Sequence, residues 1–427
     1  MRNLLAVIGL TLSAATSNAT TLTTLASFAV TNGQHPGSLF ADMAGNFYGT
    51  TASGGVANSG TVFKLDTTGL LTTVVSFTGA NGSSPSTGLI ADKIGNLYGT
   101  TYLGGATYDG FPGSGKGTVF KLDKTGTLTT LTSFTGPNGQ SPTSLTFDAT
   151  GNLYGTTQQG GTNYQRFATG DGTVFKLDTD GTLTTLASFA GTNGVGPIGG
   201  LAADGAGNFY GTTAGGGGSG DYGTIYKLDP TGVLTTIVSF DRTNGAAPFA
   251  GLTADTAGNF FGTTTYGGTN DKGTIFKLDP TGTLTTLASF AGTNGEAPYA
   301  GLIIDAAGNL FGTTTFGGLI SKDFERGKGT VFKLDATGKL STLAYFTGPD
   351  GQLPDGTLTA DAAGNLYGTT SDGGPTRNAG TVFKITDAGF ITFGAAVPEP
   401  ATWALMVIGF GITGATVRRR RTGAVLA

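Results

Sequence analysis

Few residues of this chain have the types and spacing that catalysis needs. Its 427 residues include no cysteine and one histidine, His35, so the sequence offers no thiol nucleophile, no thiolate metal site and no disulfide framework. A hydrolase that works through two carboxyl groups holds them about 5–10 Å apart, and Asp109 and Asp171 are the pair to test. Neither a G-x-S-x-G motif nor a phosphate-binding P-loop occurs. The sequence therefore predicts no catalytic residue, cofactor or metal; a polysaccharide-active hydrolase or lyase is the alternative.

Aromatic rings beside charged groups are better candidates for chemistry. They suit a polar ligand with apolar patches, such as a glycan or a peptide. Three segments of the chain combine both residue types. Their predicted ligand-binding residues are Tyr108, Asp109, Phe111, Tyr164, Arg166, Phe167, Phe324 and Arg326. The alternative is that these segments are solvated insertions without a ligand.

The three segments interrupt a unit that recurs seven times. Its first motif is Gly-Asn-(Phe/Leu)-(Tyr/Phe)-Gly-Thr-Thr, and the copies begin at Gly45, Gly95, Gly151, Gly207, Gly258, Gly308 and Gly364. A second motif, Gly-Thr-(Val/Ile)-(Phe/Tyr)-Lys, begins at Gly60, Gly117, Gly172, Gly223, Gly273, Gly329 and Gly380. A regular period of about 40–50 residues with several short strands is typical of β-propeller blades.

Each unit divides into four predicted strands, A to D. In the second unit they cover about 87–91, 96–101, 118–122 and 127–134. Aspartate opens and glycine closes the A–B and C–D turns, as hairpins favour. β-Branched and aromatic residues fill the strands. Strand C is apolar on both faces, which is typical of a sheet packed between two others.

The two ends of the repeat array predict a closed ring. Residues 21–28 match strand D although no strands A to C precede them, and the last unit has only a degenerate strand D at 390–393. The N-terminal strand can complete the seventh blade and remove two open sheet edges. We predict an all-β, seven-bladed propeller of four-stranded blades over residues 20–396. An open solenoid is the alternative.

One face of this propeller carries both the B–C and the D–A loops, because successive strands run in opposite directions. Each D–A loop contains Asn-Gly-x-x-Pro or a close variant, which predicts a tight turn. The B–C loops have 8 or 9 residues in blades 1, 4, 5 and 7, but 15, 14 and 14 in blades 2, 3 and 6. Insertions that break symmetry on one face are typical of a binding face. The three long loops are the segments named above.

The charge composition limits the classes of partner that the protein can bind. Charged residues make up 12% of the chain and the formal net charge is −4. Five of the basic residues, Arg2 and Arg418 to Arg421, lie near the ends, so the repeats are more acidic than the whole chain. This balance excludes nucleic-acid binding, which needs a basic face.

The N-terminus has the features of a secretion signal. A basic start is followed by an apolar run and then by Ser17-Asn18-Ala19, a small-x-small cleavage site. The sequence therefore predicts that residues 1–19 are removed after Ala19. A buried first strand or helix is the alternative.

The C-terminus, residues 397–427, combines three features in a fixed order. Val397, Pro398, Glu399 and Pro400 precede an uncharged, largely apolar stretch, and Arg418, Arg419, Arg420 and Arg421 follow it. The stretch has the minimum length of a membrane helix, and the arginines would hold its end in the cytoplasm. A plain membrane anchor is the alternative. The tail closely resembles the PEP-CTERM sorting signal of Gram-negative bacteria, which implies processing by an exosortase-type enzyme.

The repeats, over about residues 21–393, resemble the GloVer-type tandem repeat. That resemblance implies a fold but no activity. We predict an exported cell-surface or extracellular-matrix protein with a transient membrane anchor. Its role would be non-catalytic recognition or structure, with an extracellular polysaccharide as its ligand. A purely structural matrix component is the second alternative.

Overall fold

Short antiparallel strands and tight turns make up the chain wherever the structure describes it. The structure is a computed structural model and describes residues 19–85, 87–164, 170–218, 220–320, 325–375 and 379–393. In chain order the strands are β1 (Thr21–Ser27), β2 (Gln34–Pro36), β3 (Phe40–Ala41), β4 (Phe47–Ser53), β5 (Thr61–Leu65), β6 (Leu71–Ser76), β7 (Ile90–Ala91), β8 (Leu97–Thr101), β9 (Thr118–Leu122), β10 (Leu128–Ser133), β11 (Gln140–Phe147), β12 (Leu153–Gln159), β13 (Thr173–Leu177), β14 (Leu183–Ser188), β15 (Ala202–Ala203), β16 (Phe209–Thr213), β17 (Thr224–Leu228), β18 (Leu234–Ser239), β19 (Thr253–Ala254), β20 (Phe260–Thr264), β21 (Thr274–Leu278), β22 (Leu284–Ser289), β23 (Ile303–Ile304), β24 (Leu310–Thr314), β25 (Thr330–Leu334), β26 (Leu340–Tyr345), β27 (Thr359–Ala360), β28 (Leu366–Thr370) and β29 (Thr381–Thr386).

These strands form the predicted seven-bladed propeller. Blades 1 to 6 consist of β3–β6, β7–β10, β11–β14, β15–β18, β19–β22 and β23–β26, and β2 pairs with the end of β4. Blade 7 combines β27, β28 and β29 with β1 from the other end of the chain. Strand β1 runs antiparallel to β29, with Thr21 opposite Thr386 and Ser27 opposite Thr381. The ring is therefore closed through the N-terminal strand, and the open solenoid is excluded.

Strand A is shorter than predicted in every blade except blade 3, where β11 has eight residues. In blade 2 it is confined to Ile90–Ala91. The residue two positions before each short strand A is small and contacts its neighbours around the central channel: the Thr357 amide donates to Ser38 Oγ at 2.9 Å, and the Gly301 amide donates to Thr357 Oγ1 at 3.1 Å. A Cβ on Gly251 would lie 2.8 Å from the Gly200 nitrogen. Backbone at this level therefore packs between blades instead of extending the sheets.

The core lies between the blades. Strand C has two fully buried apolar residues in succession, such as Val62 and Phe63, which face opposite sides of the sheet. Phe63 meets Phe28 edge to face, with ring centroids 4.9 Å apart, and the same pair recurs as Phe77 with Phe120 at 5.2 Å. The apolar residues of strand C thus fill each space between blades, which explains why both faces of this strand are apolar in the sequence.

A repeated hydrogen bond joins each blade to the next. The residue before the proline of each D–A loop has a positive φ: His35, Ser84, Ser141, Gly196, Ala247, Ala297 and Leu353. Its amide donates to the carbonyl of the second residue before strand C of the preceding blade, as Ser84 does to Ser59 at 2.9 Å. The asparagine side chain accepts an amide three residues before it, as Asn81 does from Thr78 at 2.9 Å. The Asn-Gly-x-x-Pro motif is therefore the predicted turn, and it also fastens adjacent blades.

Two predicted features concern the C-terminal residues: the degenerate strand D at 390–393 and the membrane helix. Residues 390–393 form no strand and instead run beneath blade 6, where the rings of Phe390 and Phe311 lie 5.1 Å apart. The predicted membrane helix lies outside the described residues. Within the described ranges, no helix is long and apolar enough to cross a membrane.

Candidate functional site

The upper face is defined by the B–C and D–A loops, and the lower face by the A–B and C–D turns. In the long loop of blade 2, Tyr108 is partly buried and lies over Gly79 of a D–A turn, where any Cβ would overlap its ring. The loop starts beside the outermost strand of the blade, because the Ala106 amide donates to Ser133 Oγ at 3.1 Å. Phe111 is 72% exposed. Of the two rings, Phe111 alone is free to meet a ligand without leaving a packed position.

The long loop of blade 3 repeats this arrangement. The ring of Tyr164 lies over Gly136, and Lys116 Nζ is 5.7 Å from its centre. Arg166, Phe167 and Phe324 lie outside the described residues. Both tyrosine rings thus cover the glycine of the D–A turn that leads into their own blade. The loops of blades 2 and 3 meet through this Lys116 contact and through the Tyr102 hydroxyl, which donates to Gln158 Oε1 at 2.6 Å. Ligand binding at these loops stays a prediction.

The acid pair considered for catalysis is not assembled by the described contacts. Asp171 is buried and accepts a hydrogen bond from Asn163 Nδ2 at 2.8 Å. Asp109 is exposed, and hydrogen bonds from Ser114 and from the Phe111 amide keep its pKa below the usual range. Asp171 therefore has a local structural role, while Asp109 stabilises a turn of its own loop. Among the described residues, no group of three or more acidic or histidine side chains could hold a metal ion.

Arg326 is the predicted ligand-binding residue that, among those the structure describes, joins a larger site. Its guanidinium pairs with Glu296, and Lys272 Nζ lies 2.8 Å from the other carboxylate oxygen. Burial opposes ionisation of Glu296, but the hydrogen bonds from Lys272 and Arg326 outweigh it and lower its pKa. The Arg326 guanidinium also stacks on Phe316, 4.0 Å from the ring centre. Arg326 is thereby fixed over blade 6.

Phe316 is one end of an aromatic row that crosses blades 4 to 6 on the upper face. Its members are Tyr222, Phe249, Tyr266, Tyr299 and Phe316. The rings of Phe249 and Tyr299 lie 5.2 Å apart. Burial and a hydrogen bond with Tyr266 raise the pKa of Tyr299 to about 12, so the Tyr299 hydroxyl stays protonated at neutral pH. All five side chains keep some exposure, and Tyr266 is 42% exposed.

A pocket of about 270 Å³ opens within this row and is lined by Asp221, Tyr222, Arg242, Ala246, Ala247 and Tyr266. Arg242 makes two parallel hydrogen bonds to Asp271, from Nε at 3.1 Å and from Nη2 at 2.6 Å. Hydrogen bonds to Asp271 and Tyr222 raise the pKa of Arg242. The pocket therefore combines two aromatic walls with a fixed cation and an anion, a set that can contact both the apolar faces and the hydroxyl groups of a polar ligand.

A second group lies at the upper mouth of the channel, where blades 7 and 1 meet. His35 Nδ1 is 2.9 Å from the Ser371 carbonyl oxygen. Asp355 is exposed to the channel, yet protein surrounds its carboxyl group on the sides, and this desolvation raises its pKa to about 6. Hydrogen bonds from its own amide and from Ser371, and the charge of His35, oppose the increase. Asp355 is thus a carboxyl group that can carry a proton near neutral pH.

Sequence reasoning missed both the aromatic row and Asp355, although a signal for them exists. The residue after the D–A proline differs in every blade: Gly37, Ser86, Thr143, Ile198, Phe249, Tyr299 and Asp355. The second position after the Gly-Thr-Thr of strand B changes in the same way and includes Tyr266 and Phe316. A symmetric scaffold does not require such variation, so these positions mark where the upper face is specialised.

Comparisons with known proteins agree with this architecture. Gloeobacter/Verrucomicrobia repeats match residues 11–165, 107–322 and 282–396, and a PEP-CTERM protein-sorting motif matches residues 396–421. A streptogramin B lyase structure superposes with a TM-score of 0.59 at 16% identity, over 86% of this chain and 97% of that one. Virginiamycin B lyase from Staphylococcus aureus superposes with a TM-score of 0.58 at 12% identity, over 86% and 99%. At these identities the likeness concerns the fold alone.

No curated protein matches the chain. The PEP-CTERM motif marks it as an exported protein that is sorted to the cell surface or beyond, and it implies processing by an exosortase. Since the repeat matches together cover most of the sequence, the chain belongs to the Gloeobacter/Verrucomicrobia repeat family.

Proposed function

We propose that this propeller is a non-catalytic recognition protein of the cell surface or extracellular matrix, and that its aromatic row binds a polysaccharide. The observation that carries the proposal is the contact of Phe249 with Tyr299, which arise from neighbouring blades at positions where the other repeats have different residues. Tyr266 extends the same surface to the pocket beside Arg242. The sorting tail would hold the chain in the membrane transiently, before processing.

The chemistry of the row suits a sugar chain. Sugar rings have apolar faces that pack on aromatic rings, while their hydroxyl groups need hydrogen-bond partners. Arg242 has five N–H donors and its bonds to Asp271 use two of them. Preformed ion pairs at Arg242 and Arg326 also keep these groups in place, which lowers the entropy that binding would cost. An adjacent series of rings across three blades fits a chain better than a single sugar.

A glycan array with the full chain in detergent tests this proposal. We expect binding that is lost when Tyr266 and Tyr299 are both changed to alanine. A matched variant with Tyr108, Phe111 and Tyr164 changed to alanine should keep binding. The opposite pattern would move the site to the long loops. If native protein binds no glycan, the ligand class is wrong and the purely structural role becomes the better proposal.

Asp355 supports a second candidate, a polysaccharide-active hydrolase or lyase. A carboxyl group with a pKa of about 6 in the channel mouth is suited to general acid–base chemistry. The native chain would then shorten a polysaccharide that it binds, and Asp355→Asn would abolish this reaction while binding persists. Binding without shortening of any bound polysaccharide would leave recognition as the function.

A further inference from the structure

The last described residues, 387–393, are docked under the propeller. Ala388 is buried, and Lys333 Nζ donates to the Gly389 carbonyl at 3.3 Å. Ile391 makes two hydrogen bonds with the A–B turn of blade 6: its carbonyl accepts from the Ala306 amide at 2.8 Å, and its amide donates to Asp305 Oδ2 at 3.2 Å. These contacts continue the chain from blade 7 to the lower face of blade 6.

Phe390 gives this docked segment an apolar anchor. At three seams a ring of strand B packs against the first residue of strand B in the next blade, as Tyr210 does with Phe260 at 4.4 Å. In blade 7 that first residue is Leu366. Phe390 supplies the missing ring instead, 5.1 Å from Phe311. The segment therefore completes a seam of the propeller and is not a loose linker.

Both ends of the described chain consequently leave from the lower face. Strand β1 begins at Thr21, opposite Thr386 at the end of β29, and the docked segment contacts an A–B turn. The aromatic row and the channel-mouth group lie on the upper face. The described chain therefore ends on the side of the molecule opposite the proposed ligand site.

The length of the tail limits how the propeller can sit. Eight peptide steps separate Phe393 from Ala401, where the apolar stretch begins, and at full extension they span about 26–29 Å. If the upper face lay on the membrane, the tail would have to cross the width of two or three strands, about 10–14 Å. It would then have to run along the length of a five-residue strand, about 17 Å. The loops of both faces add further distance. The extended tail is therefore too short for that arrangement.

We propose that, while the tail is inserted in the membrane, the docked segment 387–393 keeps the lower face towards the bilayer and presents the aromatic row away from it. This inference rests on the membrane anchoring included in the proposed function. It specifies which face the anchored protein offers to the extracellular space. The processing motif begins four residues after Phe393 in the sequence, close to the docked segment.

Single-cysteine labelling tests the orientation, because the native chain has no cysteine. Blade 1 offers a matched pair of sites: Met43 on the lower face is 92% exposed and Val56 on the upper face is 93% exposed. Met43→Cys and Val56→Cys would each be produced as the full chain in a host without the processing enzyme. A bulky polyethylene-glycol maleimide would then be added to the membranes and, separately, to the detergent-solubilised protein.

We expect Val56→Cys to react equally fast in membranes and in detergent, and Met43→Cys to react several-fold more slowly in membranes. A flexible Gly-Ser insertion after Phe393 that doubles the tether should remove the difference. Equal protection of both cysteines, or protection of Val56→Cys alone, would overturn the proposed orientation. Carbonate washing separates the two hypotheses: a chain that washes off refutes the anchoring, whereas one that stays but shows no protection at Met43→Cys refutes the orientation only.

Discussion

The amide of His35 donates a hydrogen bond to the carbonyl oxygen of Ala379 across 3.3 Å. The two residues lie at opposite ends of the repeat array, and their contact is the seventh copy of the bond that fastens each blade to the next. It is also the longest of the seven, since the other six measure 2.8 to 3.0 Å. The ring is therefore closed by the same hydrogen bond that joins every other pair of adjacent blades, and the copy at the closure is the longest.

This bond requires a left-handed backbone at the donor, and six of the seven donors are not glycine. A left-handed conformation costs about 1–2 kcal/mol for an ordinary residue. Gly196 shows that glycine is accepted at this position. We expect Ser84→Gly to increase the free energy of unfolding by about 0.5–1 kcal/mol, because the relieved strain exceeds the extra chain entropy. Ser83→Gly is the control and should decrease it. Urea unfolding of both variants measures the difference, and a destabilised Ser84→Gly would refute the strain argument.

The glycine directly before strand C has a second requirement besides its positive φ, which is the close approach of other atoms. A Cβ on Gly60 would overlap the Thr51 carbonyl oxygen and lie 2.7 Å from Pro85 Cδ of the next blade. Gly69 has a nearly identical φ, but a Cβ there would meet nothing within 4 Å. Gly69→Ala should therefore cost only the conformational strain of about 1–2 kcal/mol. Gly60→Ala should cost clearly more, because backbone must move. Equal urea midpoints for the two variants would contradict the explanation that close approach at Gly60 adds to the cost.

The sequence predicted the architecture because most of the fold is determined locally. Asp-x-x-Gly turns, β-branched strands and the apolar residues of strand C act within one repeat, and the unmatched strand at 21–28 indicated closure. The bond from Ser84 to Ser59 was not predictable in the same way, since it depends on the placement of two blades. The short strand A had no signal either, because it follows from crowding around the channel.

The candidate site was harder to predict for the same reason. The length of their loops predicted a binding role for Tyr108 and Tyr164. In the structure, however, each tyrosine ring packs over the glycine of the adjacent D–A turn. The row formed by Phe249, Tyr266 and Tyr299 unites residues from different repeats. Only the angle between adjacent blades brings them together, and no spacing within the sequence encodes that angle.

Asp355 makes the stability of the protein depend on pH in an unusual direction. The pKa of its carboxyl is about 6 in the folded chain and about 3.9 in an unfolded one. Between these values the folded state binds more protons, so the free energy of unfolding falls as pH rises from about 4 to about 6. Above pH 6 the folded chain carries the full cost of a charge in the channel mouth. Solvent in the channel reduces that cost to about 1 kcal/mol.

Asp355→Asn should remove this dependence and increase the free energy of unfolding at pH 7 by about that amount. Asp109→Asn is the opposite control, because hydrogen bonds lower the pKa of Asp109 in the folded chain, and its loss should not stabilise the protein at neutral pH. Urea unfolding at pH 4, 5, 6 and 7 provides the comparison. If Asp355→Asn and the native chain respond alike across this range, the carboxyl is not desolvated as the structure indicates.

Phe28 tests how far the ring depends on its N-terminal strand. It is 1% exposed and packs on Phe63 of blade 1. Phe77 holds the equivalent position after strand D of blade 1, where it packs on Phe120 of blade 2 within continuous chain. Either residue changed to alanine should lower the free energy of unfolding by about 3–5 kcal/mol, since a buried ring is lost. The consequences differ because β1 can separate from β29 and expose the edges of two strands, which favours pairing between molecules. We therefore expect Phe28→Ala, but not Phe77→Ala, to form oligomers whose proportion rises with protein concentration in sedimentation velocity. Monomeric behaviour of both variants would mean that the other contacts of blade 7, among them the His35 bond, hold the ring closed without this anchor.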